Sequence, residues 1–325
     1  MTRRARSELR IQIDAARARV WFHWLQMASG HASAYALEKR LMPNSFARTD
    51  NGVLSHRNRM SRYARGMHIP HPRLVARAEQ LFPGGRALLE HPLWQILDPS
   101  QDAAIQRAHW LKAMCPDVQR IWLRARSGST DRVRARATPS LVKHLERVGN
   151  VDALASILLL LREALVDGDA EFSYRCAQGA WRVLLMMGAS LPFFMVLPDL
   201  AKLTGASILD RVTYQGEKVA ISKAPIMMCV DILRRHCLRL EDAGKLGLDD
   251  GSWICECLHV FSGDRGFDLL FALSMPTVAT PELEADAAKY SKFLDFAVIR
   301  ENALRHVCDA RLSKRRFEDD FGALA

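Results

Sequence analysis

The stretch LSHRNRMSRYARGMHIPHP, Leu54 to Pro72, sets four Arg, three His and one Asn around a narrow apolar stripe, then closes on Gly66, Pro70 and Pro72. Its spacing predicts a helix of about three turns. Ser55 is a suitable N-cap, because its hydroxyl can accept an orphan backbone N–H of the first turn. Gly66 suits the position after the last turn, where a left-handed backbone costs glycine nothing. Pro70 and Pro72 forbid continuation. Met60 and Tyr63 stand three apart and share the inward face. His56, Arg57, Asn58, Arg59, Arg62 and Arg65 cover most of the remainder. Such a helix is held on one side and presents charge on the other. Arg can bridge guanine O6 and N7 and Asn can pair with adenine, so Arg57, Asn58, Arg59 and Arg62 are expected to meet base edges in a major groove.

The run Met60-Ser61-Arg62-Tyr63-Ala64-Arg65-Gly66, with Pro70 behind it, resembles the end of the recognition helix in helix-turn-helix domains of the Cro and lambda-repressor type. The resemblance covers roughly residues 15–85. It implies that Ser33 to Leu41 is the supporting helix and that Pro72 to Phe82, with Leu74, Val75, Ala78, Leu81 and Phe82 at core spacing, is the helix that follows. This chain departs from the pattern in three places. Ala64 stands where the family has Glu, no Gln precedes Leu37, and Pro43 to Gly52 lengthens what is a tight turn in the family. That insertion ends in Asp50-Asn51-Gly52, a turn signal, and is expected to form a wing or a backbone-touching loop through Arg48.

Charge is uneven along the chain. Residues 1–150 carry 26 Lys and Arg against 11 Asp and Glu, a net +15, whereas residues 151–325 are at net −5. Arg dominates the basic half, which favours planar bidentate contacts with phosphate and guanine. The asymmetry points to a polyanion partner for the first half and another task for the second. Residues 3–28 read as one helix whose first two turns form a basic arm, and Arg3, Arg4 and Arg6 are candidates for phosphate contact. Double-stranded DNA is the expected partner, with RNA a second option.

Outward from this region the pattern stays helical. Ala87 to Leu97 reads as one helix bent at Pro92, Asp98-Pro99-Ser100 as the cap of a helix to about Met114, and Pro116 as the start of a helix to about Arg126. Ser127 to Thr130 and the alternating Arg132, Arg134 and Arg136 read as a linker, free or docked on phosphate. Domains are therefore expected at 1–126, a basic nucleic-acid-binding unit, and 138–325, a regulatory, dimerisation or partner-docking unit, joined by 127–137. In the second, Ile157 to Leu161 is apolar on all sides of a helix, which requires burial all round. One hairpin is expected, Val212-Thr213-Tyr214 and Val219-Ala220-Ile221 around Gln215 to Lys218. Thr280-Pro281-Glu282 starts a helix reaching about Lys314. On it Leu283, Ala287, Tyr290, Leu294, Ala297, Leu304 and Cys308 fall on a 4-3 spacing, which suits either a homodimer seam or packing on its own domain. The fold class expected is all-α, a helix-turn-helix-like unit followed by stacked helical hairpins.

No Gly-rich phosphate loop, nucleophile elbow or zinc-protease motif is present. Cys255, Cys257 and His259 offer metal-binding atoms, but apolar Ile254, Leu258, Val260 and Phe261 around them favour plain burial over zinc. Neither an enzyme, a metal nor a cofactor is therefore expected. The longest uncharged run, Val183 to Pro198, is too short and too broken to span a bilayer. The start lacks an apolar signal segment, and seven dispersed Cys suit a reducing cytoplasm. The expected function is a DNA-binding regulator that reads sequence through the basic helix. The alternative is a scaffold subunit of a larger assembly that holds nucleic acid by charge alone.

Overall fold

A 22-residue helix, α1 (Glu8–Ser29), organises the molecule. Ser7 caps it by accepting from the Arg10 N–H, and Gly30 ends it in the left-handed region. Ile13, Ala16 and Val20 join one buried cluster, while Trp21, Phe22 and Leu25 join another. One helix thus supplies both cores. The computed structural model describes residues 7–48, 54–56, 58–125, 132–247 and 249–309, and over them the chain is all-α apart from short antiparallel strands.

The smaller core gathers α1, α2 (Ala34–Leu41), a hairpin of β1 (Phe46–Arg48) and β2 (Leu54–His56), α3 (Arg59–Ala64), α4 (Pro72–Leu81) and α5 (Gly85–Leu89). The expectation of one helix from Ser55 to Arg65 is corrected here. Leu54 to His56 is a strand, paired Phe46 to His56 and Arg48 to Leu54, and the helix keeps only six residues. Ser55 is therefore no N-cap. The break is at Asn58, which takes a left-handed backbone at φ 49°, a conformation that Asn tolerates better than most residues.

The larger core begins at α6 (Leu93–Ile96), so the helix expected over Ala87 to Leu97 is two short helices parted at Glu90 to Pro92. It continues through α7 (Ala103–Lys112), α8 (Pro116–Trp122) and a hairpin of β3 (Leu123–Ala125) and β4 (Arg132–Arg134). Asp102, not Asp98, caps α7, its carboxylate accepting from Ala104 and Ile105 N–H. The segment read as a linker is not a gap between cores. Ala135 is buried and donates its N–H to the Trp122 carbonyl at 2.7 Å. The Arg134 guanidinium lies 5.1 Å over the Trp122 ring and pairs with Glu163. Alternating Arg is also the period of an edge strand, and here the pairing with β3 decides. The buried cluster runs unbroken from Leu93 and Trp110 to Leu141 and beyond.

At its centre α9 (Pro139–Glu146) packs on the hairpin of α10 (Val151–Asp167) and α11 (Ala170–Gly188). Ile157 to Leu161 are all fully buried, as their unbroken apolar run requires. Asn150 and Asp169 cap the two helices through their side chains, and Gly168 turns between them. Then come α12 (Leu197–Ser207), β5 (Thr213–Tyr214), β6 (Glu217–Val219), α13 (Ile226–Asp242), α14 (Asp250–Ser262), α15 (Phe267–Ala272) and β7 (Thr277–Ala279). A hairpin is present here, but its second strand is Glu217–Val219 rather than Val219 to Ile221, and it turns at Gln215 and Gly216, with φ of 50° and 83°, the primed geometry that matches strand twist. Its third strand, β7, was not legible in the sequence and pairs antiparallel with β6.

The long terminal helix is also two, α16 (Pro281–Ala285) and α17 (Ala287–Asp309). Asp286 breaks out into extended backbone and accepts the Lys289 N–H at 3.1 Å, which is the work of an N-cap. The 4-3 stripe divides accordingly. Leu283 is buried and Leu304 packs on the larger core, whereas Leu294, Ala297 and Cys308 are exposed. Among the described residues no single helix is long and apolar enough to cross a membrane.

Candidate nucleic-acid interface

The surface of the smaller core is built on one buried acid. Glu38, near the end of α2, is 1 % exposed, and its Oε2 accepts the Met60 N–H at 3.2 Å. Its other oxygen accepts from the Ser45 hydroxyl at 3.4 Å. The carboxylate therefore meets the first turn of α3, where Asn58 makes no side-chain cap, and satisfies a donor that the helix cannot. Beneath it Met60 is fully buried, and Tyr63 sets its ring edge-on to Trp21 at 5.8 Å. Burial, more than any neighbouring charge, pushes the Tyr63 phenol above its usual pKa.

The far end of α3 is clamped as tightly. Gly66 has φ 68°, and a Cβ there would meet the Ala15 Cβ and carbonyl oxygen of α1 at 2.9 Å. The Gly66 N–H donates to Tyr63 and the Met67 N–H to Arg62, closing the turn. His71 and Pro72 start α4, the His71 Nδ1 accepting from the Arg73 N–H at 3.3 Å. Helices α2 and α3 thus pack on α1, α4 packs on α2 and α5, and the β1–β2 hairpin lies between α2 and α3 in sequence.

The structure brings together part of the predicted set. Asn58, Arg62 and Arg65 are exposed on or beside α3, and Arg59 is half-buried near the Met42 sulfur. Arg65 lies back along its helix, donating from Nε to the Ser61 carbonyl at 3.1 Å. His56 is placed on the second strand of the hairpin rather than on the helix, opposite the strand that carries Arg48. Arg3, Arg4, Arg6 and Arg57 lie outside the described residues. Four cations not singled out in the sequence join the group: Lys39 and Arg40 in the last turn of α2, and Arg73 and Arg77 on α4, all exposed. The signal for the last two was present as the complement of the Leu74, Val75 and Ala78 stripe.

Counter-ions decide which Arg can act outward. In α1, Arg17 pairs with Asp14 at 2.9 Å, Arg10 with Asp98 at 3.0 Å, and Arg19 with Asp199. The last two fasten α1 to the larger core, the first lies within α1, and all three Arg are spent. In the larger core, Arg107 and Arg134 share Glu163, and Arg162 donates to the carbonyls of Ile96, Asp98 and Gln101. The smaller core differs. Residues 33–89 hold ten Lys and Arg against Glu38, Asp50 and Glu79. Glu38 is buried, and Glu79 accepts the backbone N–H groups of Gly84 and Arg86 at 2.7 and 2.8 Å. Among the described residues, Lys39, Arg40, Arg62, Arg73 and Arg77 therefore have no carboxylate partner.

The cysteine-rich stretch forms no metal cage. Cys257 is buried, Cys255 is exposed, and His259 pairs with Asp264 at 2.9 Å. Among the described residues no three His, Cys, Asp or Glu are grouped to hold a metal ion. In comparisons with known proteins, no family model, no curated protein and no solved structure matches the chain.

Proposed function

We propose that the protein binds double-stranded DNA through the surface of α2, α3, α4 and the β1–β2 hairpin, and serves as a regulator whose second half carries the control element. The observation that carries this reading is the dense set of exposed cations without carboxylate partners in one small unit, Lys39, Arg40, Arg62, Arg73 and Arg77. Exposed guanidinium groups of that kind replace condensed counter-ions on a phosphate backbone. Asn58, exposed at the entrance of α3, is the group suited to a base edge, with Arg62 one turn along.

The six-residue length of α3 favours a second reading in one respect. A helix about 9 Å long offers few side chains to a groove, and a charge-only hold needs no more. The two readings part in a competition assay. Full-length protein is bound to a labelled duplex selected from a random pool and challenged with unlabelled selected or scrambled duplex. A regulator should be displaced by the selected competitor at concentrations at least a hundredfold, roughly, below those of the scrambled one, within the usual specificity ratio. Equal displacement would move the assignment to the scaffold. No binding to any duplex would remove both.

A further inference from the structure

On the opposite half of the molecule, α13, the turn 263–266, α15 and α17 enclose a cleft of about 510 Å³. Its charged lining is one-sided. Arg235, His236 and Arg239 come from α13, Arg265 from the turn and His306 from α17, against the single acid Asp268.

Most of these groups are fixed from behind. Glu256 of α14 is 4 % exposed and accepts Arg265 Nε and Nη2 at 2.7 and 2.6 Å and the His236 ring at 2.7 Å. Burial alone would raise the Glu256 carboxyl, but these two partners outweigh it and hold it below its usual pKa. Arg235 pairs along its own helix with Asp231, and His306 Nδ1 with Asp268 at 3.1 Å. Arg265 is thus held flat with Nη1 left over, and exposed Arg239 has no carboxylate partner among the described residues. Two guanidinium groups that keep free donors, one of them preset, form a fork suited to phosphate oxygens.

The remaining wall is apolar, Ile232, Leu269 and Val307 with one aromatic ring, Phe267. Phe267 is 70 % exposed, its ring stacked on Phe271 at 6.1 Å, and Phe271 meets Phe296 of α17 edge-on at 5.8 Å. A ring held on a rigid stack with its outer face in water is a platform for another flat ring. The volume lies within the range of small-ligand sites. The net −5 of residues 151–325 disfavours a long polyanion here and tolerates one phosphate group.

We propose that this cleft binds a nucleoside phosphate, the phosphate on Arg239 and Arg265 beside His306, the base on Phe267. The test is calorimetric titration of the full-length protein with AMP, GMP, CMP and UMP. Inorganic phosphate, adenosine and a short single-stranded oligonucleotide run in parallel. At least one nucleotide should bind with a submillimolar Kd, more tightly than inorganic phosphate or adenosine. Arg239→Ala and Phe267→Ala, both at exposed positions, should each weaken it roughly tenfold while circular dichroism and the thermal midpoint stay unchanged. Failure of every nucleotide to bind at millimolar concentration would overturn the proposal. So would affinity unaffected by both variants, or an oligonucleotide binding more tightly than any mononucleotide.

Discussion

At the scale of single residues, the surface of the smaller core depends on two that carry no outward charge. Gly66 combines a left-handed backbone with contact against Ala15. Gly66→Ala meets both penalties and should destabilise the protein by about 2 kcal/mol or more, read as a lower urea midpoint. Glu38→Ala removes the acceptor of the Met60 N–H. It should cost about 1–3 kcal/mol and weaken duplex binding, although Glu38 itself is too buried to touch DNA. A third residue gives a pH dependence. His91 Nδ1 accepts from the Leu93 N–H, so its Nε2–H donates to Asp152 at 3.0 Å. Burial would raise the Asp152 carboxyl, but the hydrogen bond from His91 and those from Cys115 outweigh it, and its pKa lies below the usual value. With the folded pKa depressed, the unfolded chain takes up the proton first on acidification. The contribution is complete above the ordinary carboxylate pKa of about 4 and is lost as pH falls from there through the folded value. Asp152→Asn should therefore lower stability at neutral pH and make its fall below about pH 4 shallower, as followed by urea midpoints across pH. An unchanged slope would reject the role given to this pair.

At the scale of elements, the proposed DNA-binding surface spans α2, α3, α4 and the β1–β2 hairpin, and its helices can be tested apart. Arg62→Ala and Arg73→Ala, on α3 and α4, remove exposed groups without carboxylate partners. They should lower duplex affinity by similar factors with stability within about 0.5 kcal/mol of wild type. What was legible in the sequence follows the same division. Ser33 and Pro72 as the openings of α2 and α4, Thr280-Pro281 as the start of α16 and the buried run Ile157 to Leu161 were readable, because cap chemistry and apolar period act locally. Of the β1–β2 hairpin, Phe46 to Arg48 was read as part of a wing or loop, and Leu54 to His56 was misread as the start of the helix. Strand pairing is a contact between separated segments, and neither Ser55 nor Arg57 reports its partner. The Arg132 to Arg134 strand was missed for the same reason, since its fate rests on Leu123 to Ala125 and on Glu163. Of the candidate site, Asn58, Arg62 and Arg65 were found by residue type. Arg73 and Arg77 were passed over because attention to the core stripe of α4 hides its outer face. Nor could the sequence separate spent Arg from free Arg, because the Asp98 that occupies Arg10 lies 88 positions away.

At the scale of the whole molecule, α1 is the shared beam. Its residues up to Val20 belong to the larger core and those from Trp21 on to the smaller one. A disturbance should therefore spread according to which end of α1 it touches. Trp21→Ala should cost about 3–5 kcal/mol and speed amide hydrogen exchange in α2, α3 and α4 while α10 and α11 stay protected. Ile13→Ala should do the reverse. Loss of protection everywhere from Trp21→Ala would show that the two clusters unfold as one unit.

The most direct test of the central claim is the salt dependence of duplex binding by the full-length protein and by the combined Arg40→Ala, Arg62→Ala, Arg73→Ala and Arg77→Ala variant. If this surface holds the phosphate backbone, the logarithm of the binding constant falls linearly with the logarithm of salt concentration. The variant should then bind more weakly, with a slope shallower by about 0.9 for each phosphate contact removed. An unchanged slope in a variant that keeps its fold, or no binding by the wild type at low salt, would contradict the account.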